Sequence, residues 1–571
     1  MQDQILQSYV NSFAELTGYA ELKPDLQFEK FVNYCVISKQ YPRDFDIEDI
    51  SVGGSNDTGL DGVAITVNGN IVQSDEEINY LISKNGYLDV SFTFIQSKTS
   101  SKFKGDQVGN MIFGIKSFFD NVASIPENSD ITKFRLIKDK IYANSIKFDE
   151  LPELNIYFVT TGEWKEPAQI TGRVKRELKD LESKKLFKSI DFFFYDAERL
   201  KDTYRELKRK IVKEIDFPNR IALPEIPQVR QSFVGSLCAK EFIKLITDTD
   251  DRLQKSLFED NVRDFQGRNK VNIDIEATLK NRNLQAALSI LNNGITIIAK
   301  KIDPVGSKLK LTDFQIVNGC QSSHVLYEHR LRIEDGTHII VKVIETTDQE
   351  LSSKVIQATN KQTIVTDEAF ESLSAFHKDL EEFYKAQPNT ICPQIYYERR
   401  SKQYDGIPNI ISSDIMTLTF QIKAYVATTL AQPHSTHRYY GELLEANRSK
   451  MFRTTDRKEP YYLSCLMLNR LERSFKSGKI SRDGKAFKYQ ILYLIHRYHE
   501  TLQKKDKEYK FDKIILEYCD ENLYLPIFLA ATRFVLEQSK LFKMPAVDAV
   551  RSKEFTNLLR TEFEKIIQPA Q

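Results

Sequence analysis

Two stretches of sequence decide the fold of the first third of the chain: "GLDGVAITV" at 59–67 and "VSFTFIQSK" at 90–98. Both are rich in β-branched and aromatic residues, which is typical of buried strands. The first begins with Asp61 in a glycine-rich bend, and the second ends with Gln96 and Lys98. Side chains alternate along a strand, so Gln96 and Lys98 point to the same face. The pattern predicts two strands that carry polar groups at their ends.

These polar groups can form a metal site for phosphodiester hydrolysis. The carboxylate of Asp61, the amide oxygen of Gln96 and a second carboxylate from Glu29 are hard ligands of the kind that Mg²⁺ or Mn²⁺ takes. Lys98 can position the attacking water or a phosphate oxygen. Asp beside glycine is also common in ordinary turns, so the spacing alone leaves a surface turn as the alternative.

The surrounding pattern predicts an α/β domain over residues 1–220. Helical periodicity covers 26–41, 105–124 and 166–186, and strand-like runs occupy 62–67, 90–96, 154–162 and 190–196. Alternating strands and helices indicate a partly parallel sheet covered by helices. Prolines mark the end of this domain, at Pro218, Pro224 and Pro227.

The pattern of the remaining sequence predicts two further domains. Residues 228–405 mix strands with helices, so an α+β domain is expected; its predicted elements are strands at 294–302, 309–319 and 338–346 and helices at 349–362 and 367–386. Residues 406–571 carry helical periodicity almost throughout, which predicts a mostly α-helical C-terminal domain.

Asparagine, glutamine and glycine are concentrated beside the strands of the central domain. An Asn-Gly pair can mark only a turn. Buried amides must be hydrogen-bonded, however, so several such motifs suggest a shared pocket for a ligand or nucleic acid. Tyrosines next to arginines in "YYERRSK" (396–402) suggest a surface for stacking and phosphate contacts. The candidate pocket residues are Asn261, Arg263, Asn292, Asn293, Gly294, Asn318, Gly319, Gln321, Asn360, Gln362, Arg399 and Arg400.

Composition excludes several classes of protein. With 41% hydrophobic and 28% charged residues and a net charge of +1, the chain is typical of globular proteins and carries no overall basic charge. Six cysteines without a CxxC pair predict isolated thiols in a reducing compartment. The first residues do not resemble a signal peptide, and no apolar run approaches the roughly 18 residues of a membrane helix. We expect a cytoplasmic protein that does not contact a membrane.

The pattern "GLDG…FIQSK" resembles the metal-site signature of the restriction-endonuclease-like superfamily, the PD-(D/E)xK nucleases. It is most similar to the Mrr-like branch, in which Gln replaces an acid. The resemblance implies a restriction-endonuclease-like fold for the N-terminal domain, catalytic roles for Asp61, Gln96 and Lys98, and an auxiliary role for Glu29. Gln96 removes one negative charge from the site, which leaves a degenerate, non-cutting domain as the alternative.

Motifs of the central domain resemble a second family. "LFEDNVR", "NNGITI", "IVNGCQSS" and "ATNKQ", followed by "IYYERRSKQY", are similar to the AIPR family, the abortive-infection phage-resistance proteins. This resemblance implies bacterial antiphage defence. Together the two resemblances imply a Mg²⁺-dependent nuclease that cleaves phage or host DNA.

Two alternatives to this function remain open. One is a non-cutting sensor whose central domain binds a nucleotide or nucleic acid, and the other is a metal-dependent ribonuclease. The expected partners are nucleic acid, with DNA ahead of RNA, a phage-derived trigger, and further copies of the chain in a homodimer or a higher homo-oligomer.

Overall fold

The computed structural model contains two larger sheets and a helical C-terminal region, which confirms the mixed α/β class. It describes residues 3–41, 45–54, 56–208, 210–248, 251–258, 270–360, 375–387, 392–399, 403–404, 407, 410–507 and 510–567. None of the helices in these ranges combines the length and the apolar composition that crossing a membrane requires.

The first sheet has five strands in the order β2-β1-β3-β4-β5. Strands β1 and β3 are antiparallel, whereas β3, β4 and β5 run parallel to one another. A tight turn with positive φ at Asn68 and Gly69 joins β1 to β2, and its Asn-Gly pair is a residue type that such turns favour. The strands are β1 (Gly62–Val67), β2 (Asn70–Ile71), β3 (Val90–Lys98), β4 (Glu153–Thr160) and β5 (Ser189–Tyr195).

Helices cover both faces of this sheet. Helix Pro24–Gln40 buries the periodic apolar residues that predicted it, including Phe28, Phe31 and Val32, in one core. Helix Gly105–Phe118 packs into a second, separate core. The helices of this part are Gln4–Thr17, Pro24–Gln40, Ile47–Ile50, Asp75–Asn85, Gly105–Phe118, Ser129–Ala143, Ala168–Ser183 and Ala197–Lys208.

The second sheet has six strands in the order β6-β10-β9-β11-β8-β7. Its pairs are antiparallel except for β9 with β11. Strands β6 and β7 come from the stretch that the sequence assigned to the end of the N-terminal domain. The strands are β6 (Val212–Asp216), β7 (Asn219–Ala222), β8 (Gln231–Cys238), β9 (Ile295–Val305), β10 (Lys308–Asn318) and β11 (His338–Glu345). The accompanying helices are Ala239–Ile246, Lys270–Lys280, Arg282–Gln285, Leu288–Leu291, Cys320–Glu328, Gln349–Asn360 and Ala375–Lys385.

The C-terminal region is helical, as its periodicity predicts, and it buries the largest hydrophobic core described. Two short parallel strands, β12 (Tyr396–Glu398) and β13 (Ile415–Thr417), pair just before its first helix. Its helices are Leu418–Ala427, Tyr440–Asn447, Glu459–Lys476, Lys488–Lys505, Phe511–Glu517, Glu521–Phe542, Ala546–Ala549 and Lys553–Ile567.

Two of the six cysteines are not isolated thiols, so that expectation is wrong for this pair. Cys392 and Cys519 form a disulfide, with their Cα atoms 4.6 Å apart. The two residues are 127 positions apart in sequence, and only the packing of the helical core brings them together. Spacing along the chain therefore carried no signal for this bond.

The helical region docks against the N-terminal domain through opposite charges. Arg482 and Lys485 contact Glu48 at 2.8 and 3.0 Å, and Arg551 pairs with Asp75. These contacts join the C-terminal region to helices Ile47–Ile50 and Asp75–Asn85.

Candidate nuclease site

Strand pairing brings the predicted acid and the predicted lysine into contact. The backbone N–H of Asp61 donates to the carbonyl of Ile95 at 2.8 Å, which places Asp61 beside the end of β3. Oδ2 of Asp61 accepts hydrogen bonds from the backbone N–H of Ser97 at 2.6 Å and from its hydroxyl at 3.1 Å. Nζ of Lys98 lies 3.9 Å from the same oxygen. Asp61, Ser97 and Lys98 therefore form one cluster.

The other acid of the bend, Asp57, has a local structural role. Its carboxylate accepts the backbone N–H of Gly59 at 2.8 Å, as aspartates in turns commonly do. Gly59 has φ +76°, a left-handed conformation that favours glycine. Asp57 is thus an ordinary turn residue, whereas Asp61 lies just before β1 and beside the end of β3.

Burial raises the pKa of Asp61, and Lys98 and the two Ser97 hydrogen bonds act against it. The pKa is raised overall because desolvation of the carboxylate is the largest effect. A positive charge placed next to Asp61 would offset that desolvation cost.

Gln96 is buried beside the same bend, with 4% of its surface exposed. Its Oε1 has no hydrogen-bond partner within the described residues. A Cβ built on Gly59 would lie 3.4 Å from Nε2 of Gln96, so the amide packs against the Gly59 backbone. A buried amide oxygen without a partner costs about 1–3 kcal/mol, which a bound cation or water would offset.

Glu29 lies on helix Pro24–Gln40, and its Oε1 is a second buried oxygen without a partner in the described part of the chain. Burial raises the pKa of Glu29 to about 8, and the charge of Asp61 raises it further, whereas Lys30 and Arg482 lower it. In the absence of a bound cation, Glu29 is therefore mostly protonated and uncharged at neutral pH.

The carboxylates of Asp61 and Glu29 and the amide oxygen of Gln96 are donors of the type that Mg²⁺ and Mn²⁺ prefer. Across the described ranges, no group of three or more His, Cys, Asp or Glu residues could hold a metal. A cation here would rely on one or two carboxylates, the Gln96 amide and water.

Two residues near the site carried no interpretable signal in the sequence. Ser97 lies between the two predicted residues and holds the Asp61 carboxylate. Gln107, on helix Gly105–Phe118, has a buried Oε1 without a partner among the described residues. Four residues further along this helix, the Met111 backbone packs against Gly59. Only helix packing places this face of the helix beside the bend.

We expect Glu29→Gln to change how stability depends on pH. The pKa of Glu29 is about 8 in the folded protein, against 4.5 as its ordinary value. A group with a raised pKa contributes most to the free energy of unfolding below pH 4.5, where it is protonated in both states. This contribution is lost as the pH rises towards about 8, at up to about 1.4 kcal/mol per pH unit. Glutamine does not ionise, so the variant should gain stability relative to wild type over this range.

Urea unfolding at several pH values, without divalent cations, measures this difference. Glu15→Gln is the matched control, because Glu15 is an exposed glutamate on the neighbouring helix. Parallel stability curves for wild type and Glu29→Gln would show that Glu29 ionises normally.

Three of the central polar motifs meet through hydrogen bonds. The amide of Asn292 donates to Ser322 at 2.8 Å, and that of Asn318 donates to the carbonyl of Thr359 at 2.8 Å. Gln321 accepts from Asn272 at 2.7 Å. These amides are therefore hydrogen-bonded within the protein. The shared pocket for a ligand or nucleic acid stays a prediction.

The glycines of these motifs occupy tight positions. Gly294 and Gly319 have φ +82° and +100°, and a Cβ on Gly319 would lie 2.7 Å from the Ile295 side chain. Asn293 is exposed next to Gly294. The candidates Asn261, Arg263, Gln362 and Arg400, and the side chain of Asn360, lie outside the described residues.

Arg399 points into the protein. Its Nε donates to Glu381 at 3.1 Å, and both side chains are largely buried. The contact joins the segment after β12 to helix Ala375–Lys385.

The described residues form a mixed α/β protein, with an acid just before β1 and a Gln-x-Lys sequence at the end of β3, its antiparallel neighbour in the first sheet. The family model described as AIPR protein matches residues 258–571, more than half of the chain. The chain therefore belongs to the AIPR family, which is a family of abortive-infection, antiphage defence proteins. The match includes the helical C-terminal region as well as the central motifs. No curated protein and no solved structure matches the chain.

Proposed function

We propose that this protein is a metal-dependent nuclease that acts in antiphage defence by hydrolysing phosphodiester bonds of phage or host DNA. The observation that carries the proposal is the contact of Asp61 with Ser97 and Lys98 at the end of two paired strands. The buried oxygens of Gln96 and Glu29, which have no hydrogen-bond partner among the described residues, add hard donors.

The order of elements supports a restriction-endonuclease-like N-terminal domain. A helix that bears Glu29 precedes β1, Asp61 stands at the start of β1, and Gln96 and Lys98 end the antiparallel β3. Strands β4 and β5 then continue the sheet in parallel. This is the arrangement that the resemblance of the sequence implies.

The proposed roles follow from position and charge. Asp61, Gln96 and Glu29 would hold Mg²⁺ or Mn²⁺, which would activate water and neutralise charge on the phosphoryl group. Ser97 fixes the orientation of the Asp61 carboxylate. Lys98 would position the attacking water and stabilise negative charge on a phosphate oxygen. Glu29 must lose its proton before it binds a cation, so activity should rise with pH.

A cleavage assay tests the proposal. Full-length protein is incubated with supercoiled plasmid, linear duplex DNA, tRNA and single-stranded RNA, with Mg²⁺ or Mn²⁺ and with EDTA as the control. We expect DNA cleavage that EDTA abolishes. Cleavage of RNA alone would identify a ribonuclease, and failure to cut any of these substrates would contradict the proposal.

The sensor remains the second candidate, with the polar residues of the central domain as its expected binding region. The central motifs around Asn292, Asn318 and Gln321 are joined by hydrogen bonds in one region. Binding of a nucleotide or nucleic acid without cleavage in the same assay would support this alternative.

A further inference from the structure

Arg482 extends from the C-terminal helical region to the N-terminal domain. It begins the short 3₁₀ helix Arg482–Phe487, and its Nη2 lies 2.8 Å from Oε2 of Glu48. The Arg482 side chain is 43% exposed, so its guanidinium borders both the protein and solvent. A fixed and accessible guanidinium is well suited to bind a phosphate.

The guanidinium lies beside the backbone that supports Asp61. A Cβ built on Gly53 would be 2.9 Å from Nη1 of Arg482, so the arginine packs directly on Gly53. The preceding residue, Val52, donates its N–H to the carbonyl of Asp61 at 3.2 Å. Ser51 pairs with Gly62 at the start of β1. Arg482 therefore stands next to the strand edge that carries the candidate acid.

Glu48 holds the arginine in a defined position. This buried carboxylate also contacts Lys30 at 2.9 Å and Lys485 at 3.0 Å. An arginine has five N–H donors in a planar fork, so a contact to Glu48 through Nη2 leaves donors for a phosphate. Because Glu48 orients the fork beforehand, less conformational entropy is lost when a phosphate binds.

We propose that Arg482 binds a phosphate of the nucleic acid beside the scissile position, so that residues from two domains form the substrate site. This inference rests on the proposed nuclease function. It gives the family region at 258–571 a direct part in binding substrate at a site whose acids and lysine lie in the N-terminal domain.

The alternative role for Arg482 is to fasten the two domains, and Lys479 provides the matched control. Lys479 also joins the C-terminal region to the N-terminal domain, through Glu21 at 3.6 Å, and it contacts Glu521 at 2.9 Å. Lys479→Ala removes an interdomain ion pair that does not involve Glu48 or Gly53. A purely fastening role predicts similar effects for Lys479→Ala and Arg482→Ala.

The test uses full-length variants and two readouts. Cleavage kinetics give kcat and KM for Arg482→Ala, Arg482→Lys and Lys479→Ala. Fluorescence anisotropy over a range of KCl concentrations gives the affinity for a labelled DNA duplex, in a Lys98→Ala background and with EDTA, so that the duplex is not cut during the measurement. Thermal unfolding confirms that each variant is folded.

We expect Arg482→Ala to weaken duplex binding by about 3- to 10-fold. The slope of the logarithm of the affinity against the logarithm of the KCl concentration should become smaller by about one, because one phosphate contact fewer releases about one ion fewer. KM should rise more than kcat falls. Arg482→Lys should retain the salt dependence, because it keeps the charge, and Lys479→Ala should match wild type.

Two results would overturn the inference alone: an active wild type whose KM and salt dependence are unchanged by Arg482→Ala, or equal changes in Arg482→Ala and Lys479→Ala. A wild type that neither binds nor cuts nucleic acid would overturn the proposed function together with this inference.

Discussion

Lys98→Ala is expected to reduce the rate of DNA cleavage by about 10²- to 10³-fold, the usual effect of losing one preorganised charge that stabilises a transition state. Lys98 is the cation that lies 3.9 Å from Oδ2 of Asp61, and its side chain is 31% exposed, so a substrate can reach it. Single-turnover cleavage at saturating Mn²⁺ measures the chemical step.

The matched control for this variant is Lys102→Ala, because Lys102 is an exposed lysine in the loop that follows β3. It should cut at a rate close to that of wild type. Lys98→Ala should also unfold close to the wild-type temperature, since a partly exposed ion pair contributes about 0–1 kcal/mol. Cleavage by Lys98→Ala at the wild-type rate would show that Lys98 takes no part in the reaction.

Glu48→Gln is expected to destabilise the protein by about 3–5 kcal/mol, because removing one partner of a buried ion pair leaves the other charge uncompensated. Lys30 is 1% exposed and Glu48 is 7% exposed, and Lys485 and Arg482 contact the same carboxylate. Burial acts to raise the pKa of Glu48, but Lys30, Lys485 and Arg482 outweigh it and hold the pKa well below its usual range.

Urea unfolding at neutral pH measures this loss of stability. The control is Glu21→Gln, which removes a largely exposed partner of Lys479 at the same interface and should cost less than about 1 kcal/mol. Equal effects of the two substitutions would show that the Glu48 cluster does not stabilise the docking of the domains.

The Glu48 cluster also connects stability to the candidate site. Lys30 adjoins Glu29 in the helix, and Arg482 packs on Gly53, next to Val52, whose N–H donates to the carbonyl of Asp61. A loss of Glu48 should therefore reduce cleavage at temperatures where the protein is still folded.

Local patterns predicted most elements of the first sheet. Alternating and apolar runs at 62–67 and 90–96 became β1 and β3, and helical periodicity at 26–41 became helix Pro24–Gln40. The side chains of a strand return to the same face every two residues and those of a helix every 3.6 residues. Because one face is buried, apolar residues recur in the sequence with the same spacing.

The polar motifs could be predicted only in part. Their residue types indicated that Asn292, Asn318 and Gln321 needed hydrogen-bond partners. Which partners they found, such as Ser322 and Thr359, depended on how β10 and the helices after it pack.

The sequence by itself determined the helices and strands and the chemical groups at their ends. These groups are an acid before β1, an amide and a lysine at the end of β3, and a glutamate on helix Pro24–Gln40. Tertiary structure alone decided which groups meet. The antiparallel pairing of β1 with β3 brought Asp61 to Lys98, and domain docking brought Arg482 to Gly53. Contacts between distant segments leave no period in the sequence, because they depend on the packing of whole surfaces.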